Sequence, residues 1–188
     1  NDNPIRTGGN ITTLFMIEDA NTNPVSLGFS GLTYSPGGGS DESEQTLTYT
    51  IVSVPESSMG TVYLEDGTTV SSSDTLTLSQ LQGLKFLPAA NAYGETEVAF
   101  TVTDGENSIT ETLEIDILGF NDTPVLPVVP ITLPDGFENT NYTFTKSDLL
   151  EGVTDPDIIY NEDGSINNPA GDVLTVTNLS ATNGDLGD

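Results

Sequence analysis

The chain has no cysteine, no histidine and no tryptophan, and only three basic side chains, Arg6, Lys85 and Lys146, in 188 residues. Each absence excludes something. Without cysteine there is no disulfide framework, so rigidity in an oxidising compartment needs another source. Without histidine the commonest general base and the commonest transition-metal ligand are gone, together with every Ser-His or Cys-His pair. Against the three basic residues stand 29 acidic ones, for a formal net charge of −26. Such a surface repels phosphate backbones and excludes nucleic acid as a partner. No run of about 18 apolar residues is present, so membrane insertion is not expected. The N-terminus shows no basic-then-apolar leader, and Asn1 reads as an internal cut.

What is present is punctuation and alternation. Nineteen glycines and eleven prolines break the chain into short stretches rich in Thr, Val, Ser, Leu and Ile, the composition of half-buried strands. Strands are expected at Leu14–Glu18, Val25–Leu27, Thr46–Val54, Gly60–Leu64, Leu84–Phe86, Glu97–Thr103 and Ser108–Ile117. In Thr46–Val54 the alternation sets Leu47, Tyr49 and Ile51 on one face. Asp104-Gly105 suits a tight hairpin turn that needs positive φ. Ser79–Gly83 fits one helical turn ended by Gly83. Seven short strands with frequent turns predict an all-β fold, a Greek-key β-sandwich of the cadherin or immunoglobulin kind.

A weak internal repeat divides the chain. Asn1-Asp2-Asn3-Pro4 returns 120 residues later (121 − 1) as Asn121-Asp122-Thr123-Pro124. Thr46–Thr50 matches Val173–Thr177, and Val54 to Thr61 matches Leu179 to Asp185, in the same order. The expected organisation is the linker end of a preceding repeat at 1–4, a complete sandwich at 5–120, a linker at 121–124 and an incomplete second sandwich at 125–188. The second unit is truncated, completed by another chain or split by an insertion. Relative to the first, it carries extra residues Ile158–Pro169. A hairpin excursion, a local calcium site and a partner-contacting loop all remain open there. Asn161-x-Asp163-Gly164 is similar to the middle of an EF-hand loop, but Ile159 stands where its first Asp belongs.

The acidic and amide residues gather at the unit junctions. Asn-Asp-x-Pro offers an amide oxygen and a carboxylate on adjacent residues ahead of a stiff, extended entry to the next strand. Asp155-Pro156-Asp157 presents two carboxylates whose repulsion a cation between them would relieve. Calcium takes six to eight such oxygens. Alone, each motif is also an ordinary turn. Ser35-Pro36-Gly37-Gly38-Gly39-Ser40 has no following Lys-Ser/Thr, so a phosphate loop is set aside. Glu65-Asp66 before Gly67 reads as a turn rather than as a glycosidase pair.

In this order the motifs resemble the cadherin-like tandem repeats of giant bacterial RTX-type, type I-secreted surface adhesins. The resemblance is carried by Asn121–Pro124, Asp155-Pro156-Asp157, Val102-Thr103-Asp104-Gly105 and Leu81–Asn91. It implies Ca2+ at the junction between the units, held by Asn121, Asp122, the Thr123 carbonyl, Asp155, Asp157, and Glu18 or Asp19. A second, partial cluster at the N-terminal junction would use Asn1, Asp2, Asp41 and Asp104. Here the sequence departs from the family pattern, because Ser43 stands where Asp157 aligns. The implied function is a non-catalytic, calcium-rigidified extender or scaffold on the bacterial cell surface. Its partners would be neighbouring repeats, with a host-cell, carbohydrate or protein ligand met through adjacent domains. The alternative is a ligand-binding region whose split second domain presents an inserted carbohydrate- or peptide-binding module. A hydrolase is the third class, and no enzyme activity is expected.

Overall fold

Residues Ser108–Leu118 set the frame of the fold: Leu113, Ile115 and Ile117 turn inward and are buried, while Thr112, Glu114 and Leu118 face out. A strict period of two with one apolar face is what a sheet packed on one side requires. The computed structural model describes residues 2–38, 42, 44–137, 140–157, 159–160, 166–167 and 174–178. The chain divides into two compact units, Asn1–Phe120 and Asn121–Asp188.

The first unit contains β1 (Ile5–Gly8), β2 (Leu14–Ile17), β3 (Val25–Ser26), β4 (Thr33–Ser35), β5 (Thr48–Ser53), β6 (Gly60–Tyr63), β7 (Thr75–Leu76), α1 (Leu78–Gln82), β8 (Lys85–Pro88), β9 (Gly94–Thr103) and β10 (Ser108–Leu118). One sheet has the order β2-β10-β9-β5-β7, a second runs β3-β8-β6, and β1 pairs with β4. β2 joins β10 in parallel, whereas β9 pairs antiparallel with both β10 and β5. The fold is an all-β sandwich. Phe100 from the larger sheet and Phe86 from the smaller are fully buried in one continuous core with Ile51, Val62, Leu81 and Leu113. The rings of Phe29 and Phe100 meet edge to face at 5.5 Å. Burying a side chain of this size contributes about 1.5–3 kcal/mol.

Local signals agree with the packing. Gly105 adopts φ 104° in the β9–β10 turn. Thr77 caps α1 with a reciprocal capping box to Gln80, and Gly83 ends the helix. Strands at β1, β4 and β7 were not expected from the sequence. Ile5-Arg6-Thr7 is exposed throughout and β7 has two residues, so neither shows an alternating apolar face.

In the second unit α2 (Lys146–Leu149) is capped by Thr145, and β11 (Ile159–Tyr160) pairs antiparallel with β12 (Ile166–Asn167). That two-rung ladder lies within Ile158–Pro169, the segment weighed as a hairpin excursion; Asn161, Asp163 and Gly164 lie outside the described residues. Val125 and Thr154 form an isolated bridge with backbone bonds of 2.7 and 3.0 Å. Within Val173–Thr177, the match to Thr46–Thr50, residues 174–177 have no ladder partner among the described residues. Alternation supplies a face; a strand also needs a neighbour. Among the described residues no helix is long and apolar enough to cross a membrane.

Candidate functional site

Four charged or polar residues are buried among the described ones, and all four are acidic: Glu18, Glu42, Asp155 and Asp157. Moving a carboxylate out of water is costly unless it is hydrogen-bonded and its charge is met. Each of the four accepts a backbone N–H.

At one end of the first unit, Glu18 follows the inward positions Leu14 and Met16 by the same period of two. It is 1 % exposed. Its Oε1 accepts the N–H of Phe120 at 2.7 Å. Gly119 lies against this carboxylate: a Cβ added there would sit 3.4 Å from Oε1. Asp19, the other residue weighed for this role, is exposed at φ 55°, so the chain turns its side chain outward directly after Glu18.

At the opposite end, beside the β9–β10 turn, Glu42 Oε1 accepts the N–H of Asp2 at 2.7 Å. The glycine-rich loop explains the approach. Gly37 (φ 94°) and Gly38 (φ 53°) pass so near the incoming segment that a Cβ on Gly37 would collide with the Asn3 carbonyl. One on Gly38 would overlap the Glu42 carboxylate and lie 3.0 Å from Asp2 Oδ2. The loop is thus a cradle for Asp2 and Asn3. Asp104 Oδ1 accepts the N–H groups of Glu106 and Asn107 at 2.8 and 2.7 Å, and Asn107 Nδ2 donates to the Asp2 carbonyl at 3.4 Å. The structure therefore brings Asp2 and Asp104 to the same end. Asn1 and Asp41 lie outside the described residues. The sequence points to Asp41 in this loop; among the described residues the buried carboxylate here is its neighbour Glu42.

Within the second unit, Asp157 Oδ2 accepts the N–H of Asp122, and Asp155 Oδ1 accepts the N–H of Asp157 at 3.1 Å. Asp122 is half-buried, whereas Asn121 and Thr123 are exposed. The linker and the Asp-Pro-Asp turn are thereby held together.

Oxygens Glu18 Oε2, Glu42 Oε2, Asp104 Oδ2 and Asp122 Oδ2 are all shielded from solvent. Carboxylate, amide and carbonyl oxygens of this kind suit a hard cation such as calcium rather than a softer metal. No group of three or more acidic side chains is already gathered in metal-holding geometry among the described residues. The scarce cations are placed elsewhere. Arg6 Nε lies 3.5 Å from Glu111 Oε1, and the same oxygen accepts the Tyr34 hydroxyl at 3.5 Å. Burial, reinforced by the Glu111 charge, pushes the Tyr34 phenol well above its ordinary range. Lys85 lies in β8 and Lys146 in α2. No protein-family model matches the chain, and no curated protein matches it either.

Proposed function

We propose that the chain is a non-catalytic, calcium-rigidified extender or scaffold module of a bacterial cell-surface adhesin. The observation that carries this reading is the set of buried carboxylates at the two ends of the first unit and beside Asp122 in the second, in a chain with three basic residues and 29 acidic ones. Residues that would hold separate ions are Glu18 at one end of the first unit, Asp2, Glu42 and Asp104 at the other, and Asp122, Asp155 and Asp157 in the second unit. Calcium bound there would add positive charge beside these acids. The chain's own part is to fix the carboxylates on backbone N–H groups and to stiffen the linker by Pro124. The result would be a rod that projects or presents adhesive domains.

The test is small-angle scattering and thermal melting of the chain in calcium and in chelator at matched ionic strength. Longer particles with a higher melting temperature in calcium are expected. Profiles and melting temperatures that ignore both additions would overturn the reading.

A second reading is favoured by the exposed apolar run of the second unit, where Leu126, Val128 and Val129 are 74, 101 and 76 % exposed. It makes this unit a split domain that presents an inserted carbohydrate- or peptide-binding module. Sequence downstream of Asp188 discriminates: completing strands favour the plain repeat, a long unrelated stretch favours the split domain.

A further inference from the structure

The outer face of the β2-β10-β9 sheet carries an arrangement that the calcium reading does not use. Register places Phe15 of β2 beside Asp116 of β10, and Asp116 directly opposite Glu95 of β9. One step along, Glu114 stands opposite Glu97, and the Thr13 hydroxyl donates to Glu114 Oε2 at 3.1 Å. Two rungs of like charge therefore sit side by side on one face. Cross-strand carboxylates directly opposite each other, about 5 Å apart, repel. Phe15, 65 % exposed, borders the rungs, and these six side chains line a cleft of about 460 Å³. Ile17 and Leu118, paired in the next row and half-exposed, extend the apolar shoulder.

Charge complementarity decides the occupant. A second copy of this chain would bring its own excess of carboxylates, with only three basic residues to offer. A partner with positive charge on an extended backbone meets both features of the face. Arginine fits better than lysine, because its planar guanidinium stacks on an aromatic ring while its fork bonds carboxylates. We propose that this face docks an arginine-bearing protein segment, with a guanidinium stacked on Phe15 and bonded to the Asp116–Glu95 rung, and a second on the Glu114–Glu97 rung. The site is independent of the calcium reading, so its test is run both in calcium and in chelator.

The probe is a fluorescein-labelled synthetic peptide of alternating valine and arginine, measured by anisotropy against the whole chain. Peptides with lysine or glutamate in place of arginine serve as comparison. Saturable binding of the arginine peptide is expected, severalfold tighter than the lysine peptide, with none for glutamate. The combined variant Glu95→Gln, Glu97→Gln, Glu114→Gln, Asp116→Asn should weaken it at least tenfold while melting no lower than the parent. Phe15→Ser should weaken it severalfold. A control variant removes the same number of charges elsewhere, as Glu56→Gln, Glu65→Gln, Glu106→Gln and Glu151→Gln, and should change binding less than twofold. Equal losses in the two charge variants would reduce the effect to net charge and overturn the proposal. Lysine binding as tight as arginine would also overturn it. So would self-association through this face in sedimentation, or loss of bound calcium from the four-site variant without loss of peptide.

Discussion

Glu18 Oε1 accepts the backbone N–H of Phe120 at 2.7 Å, joining residues 102 apart in sequence. The same residue's N–H donates to the Leu118 carbonyl at 3.0 Å, so Glu18 closes the parallel β2–β10 pairing at its end. A neutral acceptor would make the same closure without burying a charge. The calcium reading proposed above gives the carboxylate at this position, 1 % exposed, a use that a neutral acceptor would not have.

Glutamine at this position separates the two roles. Glu18→Gln keeps an acceptor for Phe120 and removes the buried charge, so its stability in chelator should lie within about 1 kcal/mol of the parent. Glu18→Ala removes the acceptor of the part-buried Phe120 bond and the packing of a side chain 1 % exposed, and should cost about 1–3 kcal/mol in either condition. In calcium, Glu18→Gln should lose most of the ion's added stability. Denaturant titrations of both variants with and without calcium check this. A Glu18→Gln chain that gains as much from calcium as the parent would remove Glu18 from the ligand set.

On the calcium reading, removal of the ion from the whole chain has an effect whose size is set by linkage. At free calcium about 100 times the dissociation constant, one site adds about 2.7 kcal/mol. For a domain of this length that corresponds to a melting shift on the order of 10 °C. Sodium chloride at equal ionic strength should recover only a small part, since screening does not replace coordination. Asp157→Asn leaves an amide oxygen for the Asp122 N–H but weakens the donor set. Calorimetry should show at least a tenfold loss of calcium affinity at that site.

Much of this was legible in the sequence, for reasons visible in particular residues. Leu113, Ile115 and Ile117 repeat every second position, so β10 and its buried face could be read directly. Asp104-Gly105 announced its turn because few other pairs accept the conformation. The same period, continued past Leu14 and Met16, selects Glu18 over Asp19, a distinction the composition of the junction alone leaves open. Glu42 was not legible. A loop has no period, and the residue turned inward depends on how Gly37 and Gly38 wrap Asp2 and Asn3, contacts made across about 40 positions of chain. β1, β4 and β7 were missed because their pairing comes from neighbours rather than from their own alternation. The carboxylate rungs of the outer face likewise appear only when the β9–β10 register is known.

Replacing Gly38 with alanine tests the cradle around Asp2. At φ 53° an L-residue costs about 1–2 kcal/mol on backbone grounds alone. Gly67 supplies the comparison, since it also has positive φ (89°) but nothing within 4 Å of an added Cβ. Gly67→Ala should therefore show the backbone cost only. Gly38→Ala should exceed it and should also weaken calcium binding, because the added methyl displaces the Glu42 carboxylate. Equal costs for the two, with calcium affinity unchanged, would mean that the loop does not position Glu42.

The cap of α2 gives a pH-dependent signature away from the acidic clusters. Asp148 Oδ2 accepts the Thr145 N–H at 2.7 Å and the Thr145 hydroxyl at 2.9 Å, while the Asp148 N–H donates to that hydroxyl at 3.3 Å. The backbone bond first, and the hydroxyl bond second, hold the Asp148 carboxyl below its ordinary range. A folded-state value below the unfolded one means that the cap stabilises above the unfolded pKa, near 3.9, and that the contribution is lost as pH falls through the lower folded value. Thr145→Val removes only the hydroxyl. Its Asp148 should titrate higher than in the parent but still below an unfolded carboxyl, because the backbone N–H remains. Carboxyl-detected NMR titration reads both values. An Asp148 that reaches the unfolded value in Thr145→Val would assign the whole effect to the hydroxyl and contradict the ranking of the two bonds.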